Sequence, residues 1–438
     1  MATSTAVAPS TRVVRASLIV LVIINIINFY DRNVGGALAE PMRREFGFSD
    51  TQLGWLGTIF TLLYAVIGLP LGLLADRISR KKLLASGVTI WGALTAFAAW
   101  AWSFGTLAIS RLGVGVGEAA CAPTATSWIG DLYPPERRSR PLALFMLGVP
   151  VGGALSYFFS GPVAQAFGWR RAMIVAAIPA LVMAPFVLFL REPQRGAAES
   201  ARAPGSAQQG SIGQLLSIPT FWWIIVSGAL VNFNLYAIGT FLPAFLGRIH
   251  HLNVARAGIA TGMIYMIGGV AGGTIGGFWG DTIVRRGAHQ RMLAAAIGAL
   301  AAAPFAYFGI RQGFGALTLA VIFLTVSYGL LNMYYGLVYA SIQEIAAPAL
   351  RGTAMAVYFL FMYLGGASFG PLLTGRLSDM MARRAAAAAG SPVITEAFKA
   401  VGLQQAMFVI PILSVGLGLV LWAGSKTMVH DAARRTPS

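Results

Sequence analysis

One loop sequence occurs in both halves of this chain. Residues 72–81 read Gly-Leu-Leu-Ala-Asp-Arg-Ile-Ser-Arg-Lys, and residues 277–286 read Gly-Phe-Trp-Gly-Asp-Thr-Ile-Val-Arg-Arg. Each stretch closes a long apolar run, places an aspartate four residues after a glycine, and has basic residues four and five positions after that aspartate. Self-similarity at a fixed spacing indicates a duplicated architecture.

A second pair of loops supports the duplication. Residues 131–139 read Asp-Leu-Tyr-Pro-Pro-Glu-Arg-Arg-Ser, and residues 344–352 read Glu-Ile-Ala-Ala-Pro-Ala-Leu-Arg-Gly. In both, a proline follows the acidic residue by four positions and an arginine follows it by seven. A single Gly-x-x-x-Asp arises easily at helix ends. Four matching signals in equivalent loops predict two related halves.

The composition places most of the chain in a lipid bilayer. Of its 438 residues 57% are hydrophobic and 11% are charged, and the mean hydropathy is +0.70. A hydrocarbon core of about 30 Å needs about 20 apolar residues per helical crossing. We predict an all-α membrane protein with twelve spans, at residues 13–38, 51–75, 83–104, 106–130, 140–166, 171–190, 219–247, 257–280, 291–310, 314–342, 353–376 and 402–424.

The polar segment between the sixth and seventh spans divides the chain. Residues 191–217 are too polar to cross a membrane and are rich in Gly, Ala, Ser and Gln, which is typical of a flexible linker. We therefore predict an N-terminal six-helix bundle over 1–190, a cytoplasmic linker over 191–217 and a C-terminal six-helix bundle over 218–438.

The net charge of +17 reflects membrane topology and not nucleic-acid binding. Arg and Lys form short clusters between apolar runs, as in the positive-inside pattern. They gather on the side that holds the termini, so we expect an inner-membrane protein of the cell with both termini cytoplasmic. A cleaved signal peptide ending near Ala39 is the alternative for the first span, but Asp31 and Arg32 interrupt that segment.

Four charges lie inside the predicted spans, away from their ends. They are Asp31 and Arg32 in the first span and Arg111 and Glu118 in the fourth. A charge within a bilayer costs several kcal/mol unless it is paired or hydrated, so such residues are functional candidates. At about 1.5 Å per residue, Asp31 and Arg111 reach similar depths, and Glu118 lies about 10 Å deeper on the same face as Arg111. We expect Asp31 and Arg111 to meet.

These four residues predict proton coupling and substrate binding. An ionised Asp31 or Glu118 would hold an arginine, and protonation would release that arginine to an anionic group of the substrate. The alternative is a static salt-bridge cluster between two helices, although buried ion pairs stabilise proteins poorly compared with apolar packing.

Small residues predict where helices approach each other closely. Gly268, Gly272, Gly276 and Gly280 repeat every four residues in the eighth span. Such stripes allow close backbone contact between membrane helices. Cys121, the only cysteine, lies in an apolar run, so neither an intrachain disulfide nor a cysteine metal cluster is possible.

The duplicated loops together resemble the major facilitator superfamily over nearly the whole chain. That resemblance implies two six-helix bundles around a cavity that opens alternately to each side. It also implies that Asp76 and Asp281, with arginines that begin helices of the opposite half, latch the cytoplasmic side shut. We take the cytoplasmic gate to comprise Gly72, Asp76, Arg77, Arg80, Asp131, Arg138, Asp281, Arg285, Glu344 and Arg351. For Arg80, Lys81 and Lys82, topology-setting loop charge is a sufficient explanation.

Within that superfamily the chain resembles the Spinster lipid transporters. The resemblance lies in residues 28–32 (Asn-Phe-Tyr-Asp-Arg), in residues 111–119, which contain Arg111 and Glu118, and in residues 131–140. It implies proton-linked transport of a lysophospholipid or a sphingoid phosphate, with Asp31, Arg32, Arg111 and Glu118 in the cavity. Small organic anions are the alternative substrates. Multidrug efflux is a further alternative, favoured weakly by a Gly-Val-Pro segment at 148–150 similar to that of antiporters.

The C-terminal half has no deep charge in its predicted spans but many aromatic residues. A charged wall facing an apolar, aromatic wall suits an amphiphile. The aromatic candidates are Phe233, Tyr236, Phe241, Tyr265, Tyr328, Tyr334, Tyr335, Tyr358 and Phe361. We expect an amphiphilic small molecule or lipid as substrate, contact with membrane lipids, a monomer, no metal, and no cofactor beyond the proton as coupling ion.

Other classes of membrane protein fit less well. No Gly-x-x-x-x-Gly-Lys-Ser/Thr loop occurs, which argues against an ATP-driven pump. The four histidines lie in predicted loops or in the C-terminal tail and no His-Glu-x-x-His motif occurs, so we do not expect an enzyme.

Overall fold

A computed structural model describes residues 11–75, 77–134, 137, 139–195, 212–283, 287, 289–346 and 350–433. Within those ranges, the regular elements are all helical. Eleven stretches are long and apolar enough to cross a membrane. The all-α membrane architecture predicted from the sequence is confirmed.

The helices that precede the polar segment form the N-half. They are α1 Thr11–Ala37, α2 Ala39–Phe46, α3 Asp50–Ala75, α4 Arg80–Phe97, α5 Phe104–Ala119, α6 Cys121–Leu132, α7 Ser139–Met146, α8 Gly148–Phe167 and α9 Trp169–Phe189.

The helices from residue 212 onward form the C-half. They are α10 Ile212–Leu216, α11 Pro219–Ile249, α12 Val254–Met263, α13 Val270–Ile283, α14 His289–Arg311, α15 Leu317–Ile345, α16 Arg351–Met362, α17 Phe369–Ala388, α18 Glu396–Met407 and α19 Val409–Ala433. Residues 196–211 lie outside the described ranges, so the predicted division of the chain at 190 and 218 stays a prediction. The helix α10 lies within the predicted linker.

The predicted fourth span is not among these eleven stretches, because it is divided into two shorter helices, α5 and α6. Each is too short to cross a bilayer alone, and together they cover the predicted fourth span. Pro123 lacks the N–H that would continue the helical hydrogen bonds through this turn, and the break falls at Ala120. Glu118 therefore lies one residue before the end of α5, beside an interruption that the sequence analysis did not predict.

Two spans of the C-half contain a π-helical turn. One covers Ile264–Gly269, between α12 and α13, and the other covers Tyr363–Ala367, between α16 and α17. Both contain a pair of adjacent glycines. A π turn has a wider ring of hydrogen bonds than an α-helix and often marks a functional site.

The two halves pack together at the end of the bundle where α1 ends, at Ala37; we call this the distal end. The opposite end, which holds Thr11 and Ala433, is the terminal end. A Cβ atom built on Gly161 of α8 would lie 2.8 Å from the carbonyl oxygen of Val254 at the start of α12. A Cβ atom on Gly54 of α3 would lie still closer to the carbonyl oxygen of Pro371 on α17. Glycines thus allow backbone contact between the halves near the distal end.

The glycine stripe of the eighth span packs against the tenth, as its spacing predicted. A Cβ atom on Gly268 would lie 2.6 Å from the carbonyl oxygen of Thr325, and one on Gly276 would lie 2.7 Å from that of Met333. Between them, Gly272 faces the carbonyl oxygen of Gly329 on α15. The neighbouring Gly273 has no atom within 4 Å of its Cβ position.

This difference predicts that substitutions at these two adjacent glycines affect stability differently. We expect Gly272→Leu to force α13 away from α15 and to destabilise the protein by about 1–3 kcal/mol, the usual cost of overpacking. Gly273→Leu is the matched control and should be tolerated. Thermal unfolding of both variants in detergent tests the prediction, and equal midpoints would contradict it.

Candidate functional site

The four predicted intramembrane charges lie in one region of the N-half. Asp31 and Arg32 belong to the distal part of α1, and Arg111 and Glu118 belong to α5. Asp31 is 1% exposed, Glu118 is 0% exposed and Arg111 is 6% exposed. All are thus shielded from water, and each must be stabilised by its neighbours.

Arg32 and Glu118 form a buried ion pair. Nε and Nη2 of Arg32 each lie 3.1 Å from Oε2 of Glu118, with side chains that are 5% and 0% exposed. Nη2 also donates to Oδ1 of Asn28, one helical turn earlier on α1, at 3.4 Å. A long helical side chain points back toward the start of its own helix, which brings the guanidinium down to the deeper Glu118.

Arg32 also contacts the C-half. Its Nη1 donates to the hydroxyl oxygens of Tyr236 on α11, at 3.4 Å, and of Tyr363, the first residue of a π turn, at 3.3 Å. On the N-half side the guanidinium carbon lies 4.3 Å from the ring centroid of Tyr64 and 4.6 Å from that of Phe29. One cation thus joins a carboxylate of its own half to two hydroxyls of the other.

Asp31 and Arg111, which we expected to meet, are not joined by a hydrogen bond. Oδ2 of Asp31 instead accepts a hydrogen bond from Thr95 of α4, at 2.9 Å. Oδ1 of Asp31 and Nη2 of Arg111 are buried without a hydrogen-bond partner, and the two side chains interact through charge alone. Gly35 leaves room beside Arg111, since a Cβ atom there would lie 3.6 Å from Nη1.

The carboxyl groups of Asp31 and Glu118 are close enough to influence each other's charge. Oδ1 of Asp31 and Oε1 of Glu118 are each buried and have no hydrogen-bond partner. Two ionised carboxylates repel, whereas a protonated carboxyl donates a hydrogen bond to an ionised one. This arrangement can hold one proton between α1 and α5.

Several contributors to this cluster were not predicted. Tyr64, Thr95 and Tyr363 contact the charged groups directly, and of the C-half aromatic candidates only Tyr236 contacts Arg32. Phe361 is 40% exposed on the outside of the bundle. A tyrosine or threonine in an apolar run is common, so the sequence carried no specific signal for the missing three.

At the terminal end of the N-half, Arg80 is fully buried. Nη1 of Arg80 donates to Asp131 at 2.5 Å, Nε to Glu192 at 3.3 Å and Nη2 to the carbonyl oxygen of Pro193 at 2.8 Å. Arg80 is therefore not an ordinary loop charge. Burial alone would raise the pKa of Glu192, but hydrogen bonds from Ser79 and Arg80 outweigh it and lower that pKa.

The C-half has an equivalent pair. Arg291, at the start of α14, contacts Glu344 at the end of α15, just as Arg80 at the start of α4 contacts Asp131 near the end of α6. Both ion pairs lie within their own half. Arg351 donates to the carbonyl oxygen of Gln343, also within the C-half.

The structure describes only part of the predicted cytoplasmic gate. Gly72 faces Pro123 within the N-half, and Arg77 is exposed in the turn after α3. Asp76, Arg138 and Arg285 lie outside the described residues, as does the side chain of Asp281. The predicted latch between the halves stays a prediction. Among the described residues, no group of His, Cys, Asp and Glu side chains suits a metal ion.

A helical bundle of this kind, with a charged cluster at its centre and duplicated ion pairs at one end, defines a membrane transporter. The family model described as Major Facilitator Superfamily matches residues 21–371. The chain belongs to the Major Facilitator Superfamily and is Spinster-like within it.

The similar proteins agree with this assignment. An "MFS-type efflux pump" of Mycolicibacterium smegmatis is 31% identical over 84% of this chain and 85% of the relative. "Protein spinster homolog 1" of Homo sapiens is 30% identical over 84% of this chain and 74% of the relative. These relatives are transporters, not enzymes.

A solved structure supports the same fold. The crystal structure of a bacterial homologue of the human lysosomal transporter Spinster, inward-facing and unoccupied, superposes with a TM-score of 0.88 at 26% identity. The match covers 98% of this chain and 100% of that one.

The burial of Arg80 predicts a structural role for it. We expect Arg80→Met to destabilise the protein by about 3 kcal/mol, because Asp131 and Glu192 lose a buried cation. Lys82→Met, at an exposed position of the same helix, is the control and should change little. Thermal unfolding in detergent is the measurement, and a stable Arg80→Met variant would show that the network is dispensable.

Proposed function

We propose that this chain is a proton-coupled secondary active transporter of an amphiphilic lipid, with an anionic or zwitterionic head group, that works by alternating access. One observation carries the proposal: the buried ion pair of Arg32 and Glu118 is in contact with tyrosines of the opposite half. A change in the charge of Glu118 in the N-half thereby changes the contacts of Arg32 with the two tyrosines of the C-half.

Protonation is the event that frees Arg32. An ionised Glu118 holds the guanidinium of Arg32. A neutral Glu118 cannot compensate the positive charge of Arg32 in the bilayer interior. The guanidinium of Arg32, no longer paired, then binds an anionic group of the substrate. Because carboxylate and substrate compete for the same cation, proton binding and anion binding strengthen each other, and this linkage is reciprocal.

Asp31 provides a second place for the proton. Its carboxyl group and that of Glu118 each have a buried oxygen without a hydrogen-bond partner, and Arg111 interacts with the charge of Asp31. When Asp31 and Glu118 share one proton, the two arginines and the two carboxyl groups together keep a net positive charge. An anionic group of the substrate can balance that charge.

The aromatic wall of the C-half supports an amphiphilic substrate. From Tyr363 and Tyr236 beside Arg32 it continues toward the terminal end, with ring centroids 5.6 Å apart for Tyr334 and Tyr335 and 5.4 Å apart for Tyr335 and Tyr339. Aromatic rings bury large apolar area, and their hydroxyls accept polar contacts. A charged head on the N-half and an apolar tail along this wall fit both surfaces.

The orientation in the membrane belongs to the proposal. The terminal end carries the basic loop clusters, and the positive-inside pattern assigns that end to the cytoplasm of an inner membrane. The halves contact each other at the distal end, which agrees with the inward-facing state of the similar crystal structure. The substrate cavity would then open to the cytoplasm in this state.

Drug efflux is the second candidate function. The similarity to an MFS-type efflux pump favours it, since that relative is 31% identical over most of this chain. An efflux antiporter would release a proton from the same carboxylates when substrate binds. The sign of the pH effect on substrate binding therefore separates the two candidates.

The neutral variant Glu118→Gln tests the coupling. We expect binding of the anionic substrate by the wild-type protein to strengthen as pH falls, because protonation frees Arg32. In Glu118→Gln the glutamine mimics the protonated state, so transport should lose most of its pH dependence. Uptake into proteoliposomes across a range of pH values is the measurement. Glu45→Gln, at an exposed carboxylate of α2, is the control and should keep the wild-type profile. An unchanged profile in folded Glu118→Gln protein would remove Glu118 from the coupling.

A pair of labelled substrates tests the lipid. We expect proteoliposomes to take up a lysophospholipid under an imposed pH gradient, and to take up a small carboxylate poorly, because the carboxylate lacks a tail for the aromatic wall. Carboxylate uptake without lipid uptake would favour the organic-anion alternative. Substrate binding that weakens as pH falls would favour the antiporter.

A further inference from the structure

A second group of buried charges lies at the distal end, far from Arg32. Arg248, near the end of α11, binds Asp50 at the start of α3 through two hydrogen bonds of 2.8 Å. Its Nε and Nη2 also donate to Oε2 of Glu40, at 3.0 and 2.8 Å. Arg248 belongs to the C-half, whereas Asp50 and Glu40 belong to the N-half, and the three side chains are 3%, 4% and 9% exposed.

A second arginine crosses the same boundary in the other direction. Arg43 of α2 contacts Glu40 at 2.7 Å and Glu396, the first residue of α18, at 2.5 Å. Burial alone would raise the pKa of Glu40, but Arg43 and Arg248 outweigh that effect and lower it, so this carboxyl stays ionised.

A carboxylate of the C-half caps a helix of the N-half. Oδ1 of Asp379, on α17, accepts the backbone N–H of Asp50 at 3.0 Å, and Oδ2 accepts the N–H and hydroxyl of Thr51 at 2.8 and 2.5 Å. Ser378 donates to Asp50 at 2.6 Å. The first N–H groups of a helix have no partner within it, and a negative charge there is favourable.

We call these residues the distal ion cluster: Glu40, Arg43, Asp50, Arg248, Asp379 and Glu396. They come from α2, α3, α11, α17 and α18, so contacts among them join the two halves repeatedly. Sequence analysis did not find them because each lies at or beyond the end of a predicted span, where charges are ordinary.

We propose that the distal ion cluster is the gate of the distal side, which closes the transport path while the terminal end is open and separates in each transport cycle. Its strength then sets how the protein divides its time between the two orientations. This inference does not depend on which substrate is carried.

Charged groups suit a gate that opens to water. An apolar seam of the same size would expose its surface on opening, at a cost of about 25 cal/mol per Å². Ion pairs instead recover hydration when they separate, which offsets much of the attraction that is lost. Closure holds while Arg248, Asp50 and Glu40 are shielded from water, and opening is not prohibitively costly.

The test measures both ends of the molecule by electron spin resonance distances in lipid nanodiscs. Spin labels on Trp102→Cys and Val393→Cys report the distal end, since these residues are 71% and 64% exposed there in opposite halves. Labels on Ile78→Cys and Thr282→Cys report the terminal end. Cys121→Ala removes the native thiol in each case.

Removing the distal charges should shift the population outward. We expect Arg248→Met to raise the ratio of distal-open to distal-closed molecules by on the order of tenfold or more, because Asp50 and Glu40 are left buried without their cation. The distal distance should lengthen and the terminal distance should shorten together. Asp379→Asn, which keeps the size of the side chain and removes its charge, should shift both distances in the same direction by less, and it decides the matter if Arg248→Met does not fold.

A matched control separates the gate from general loss of charge. Arg170 and Glu45 form an exposed ion pair at the same end but within the N-half, so Arg170→Gln should leave both distances unchanged. Unchanged distances in every folded distal variant, or an equal shift in Arg170→Gln, would overturn the proposal.

Discussion

The structure depends on how the charge of Arg32 is compensated where water is absent. A guanidinium at the centre of a membrane bundle needs a carboxylate within a few ångströms, and Glu118 is that carboxylate. The pair lies where α5 ends, beside the break before Pro123, and Arg32 also donates to Asn28 on its own helix and to Tyr236 and Tyr363 across the bundle. A charged group in the bundle interior is thereby also one of the contacts between the two halves.

Ion pairs serve two different purposes along the same axis. At the terminal end Arg80 and Arg291 each bind a carboxylate of their own half, so these contacts stabilise a bundle and are compatible with movement between bundles. At the distal end Arg248 and Arg43 each bind a carboxylate of the opposite half. The first kind keeps its partners whichever way the protein faces, and the second kind is specific to one orientation.

The sequence predicted the charged residues that lie inside apolar runs and missed those that lie at the ends of spans. Asp31, Arg32, Arg111 and Glu118 were identifiable because a charge in an apolar run has few explanations. Arg248 and Asp50 lie at span ends, where an arginine or aspartate is expected, and only the folded chain shows that they are buried together. The depth argument compared Cα positions only and ignored the length and direction of side chains, and in the structure Arg32 rather than Arg111 forms the ion pair with a carboxylate. The breaks within spans depend on Pro123 and on glycine pairs, whose effect on a helix is set by neighbouring packing.

The two π turns limit how similar the halves can be. Each turn accommodates more residues than a regular turn of helix, so the side chains beyond it are rotated about the axis relative to a continuous α-helix. Both occur in the C-half, and the described N-half has none. Equivalent loops can therefore keep similar sequences while the side chains of the membrane segments between them point in different directions. An ancestral twofold likeness would fade first in the interior, which is where one bundle presents arginines and carboxylates and the other presents tyrosines.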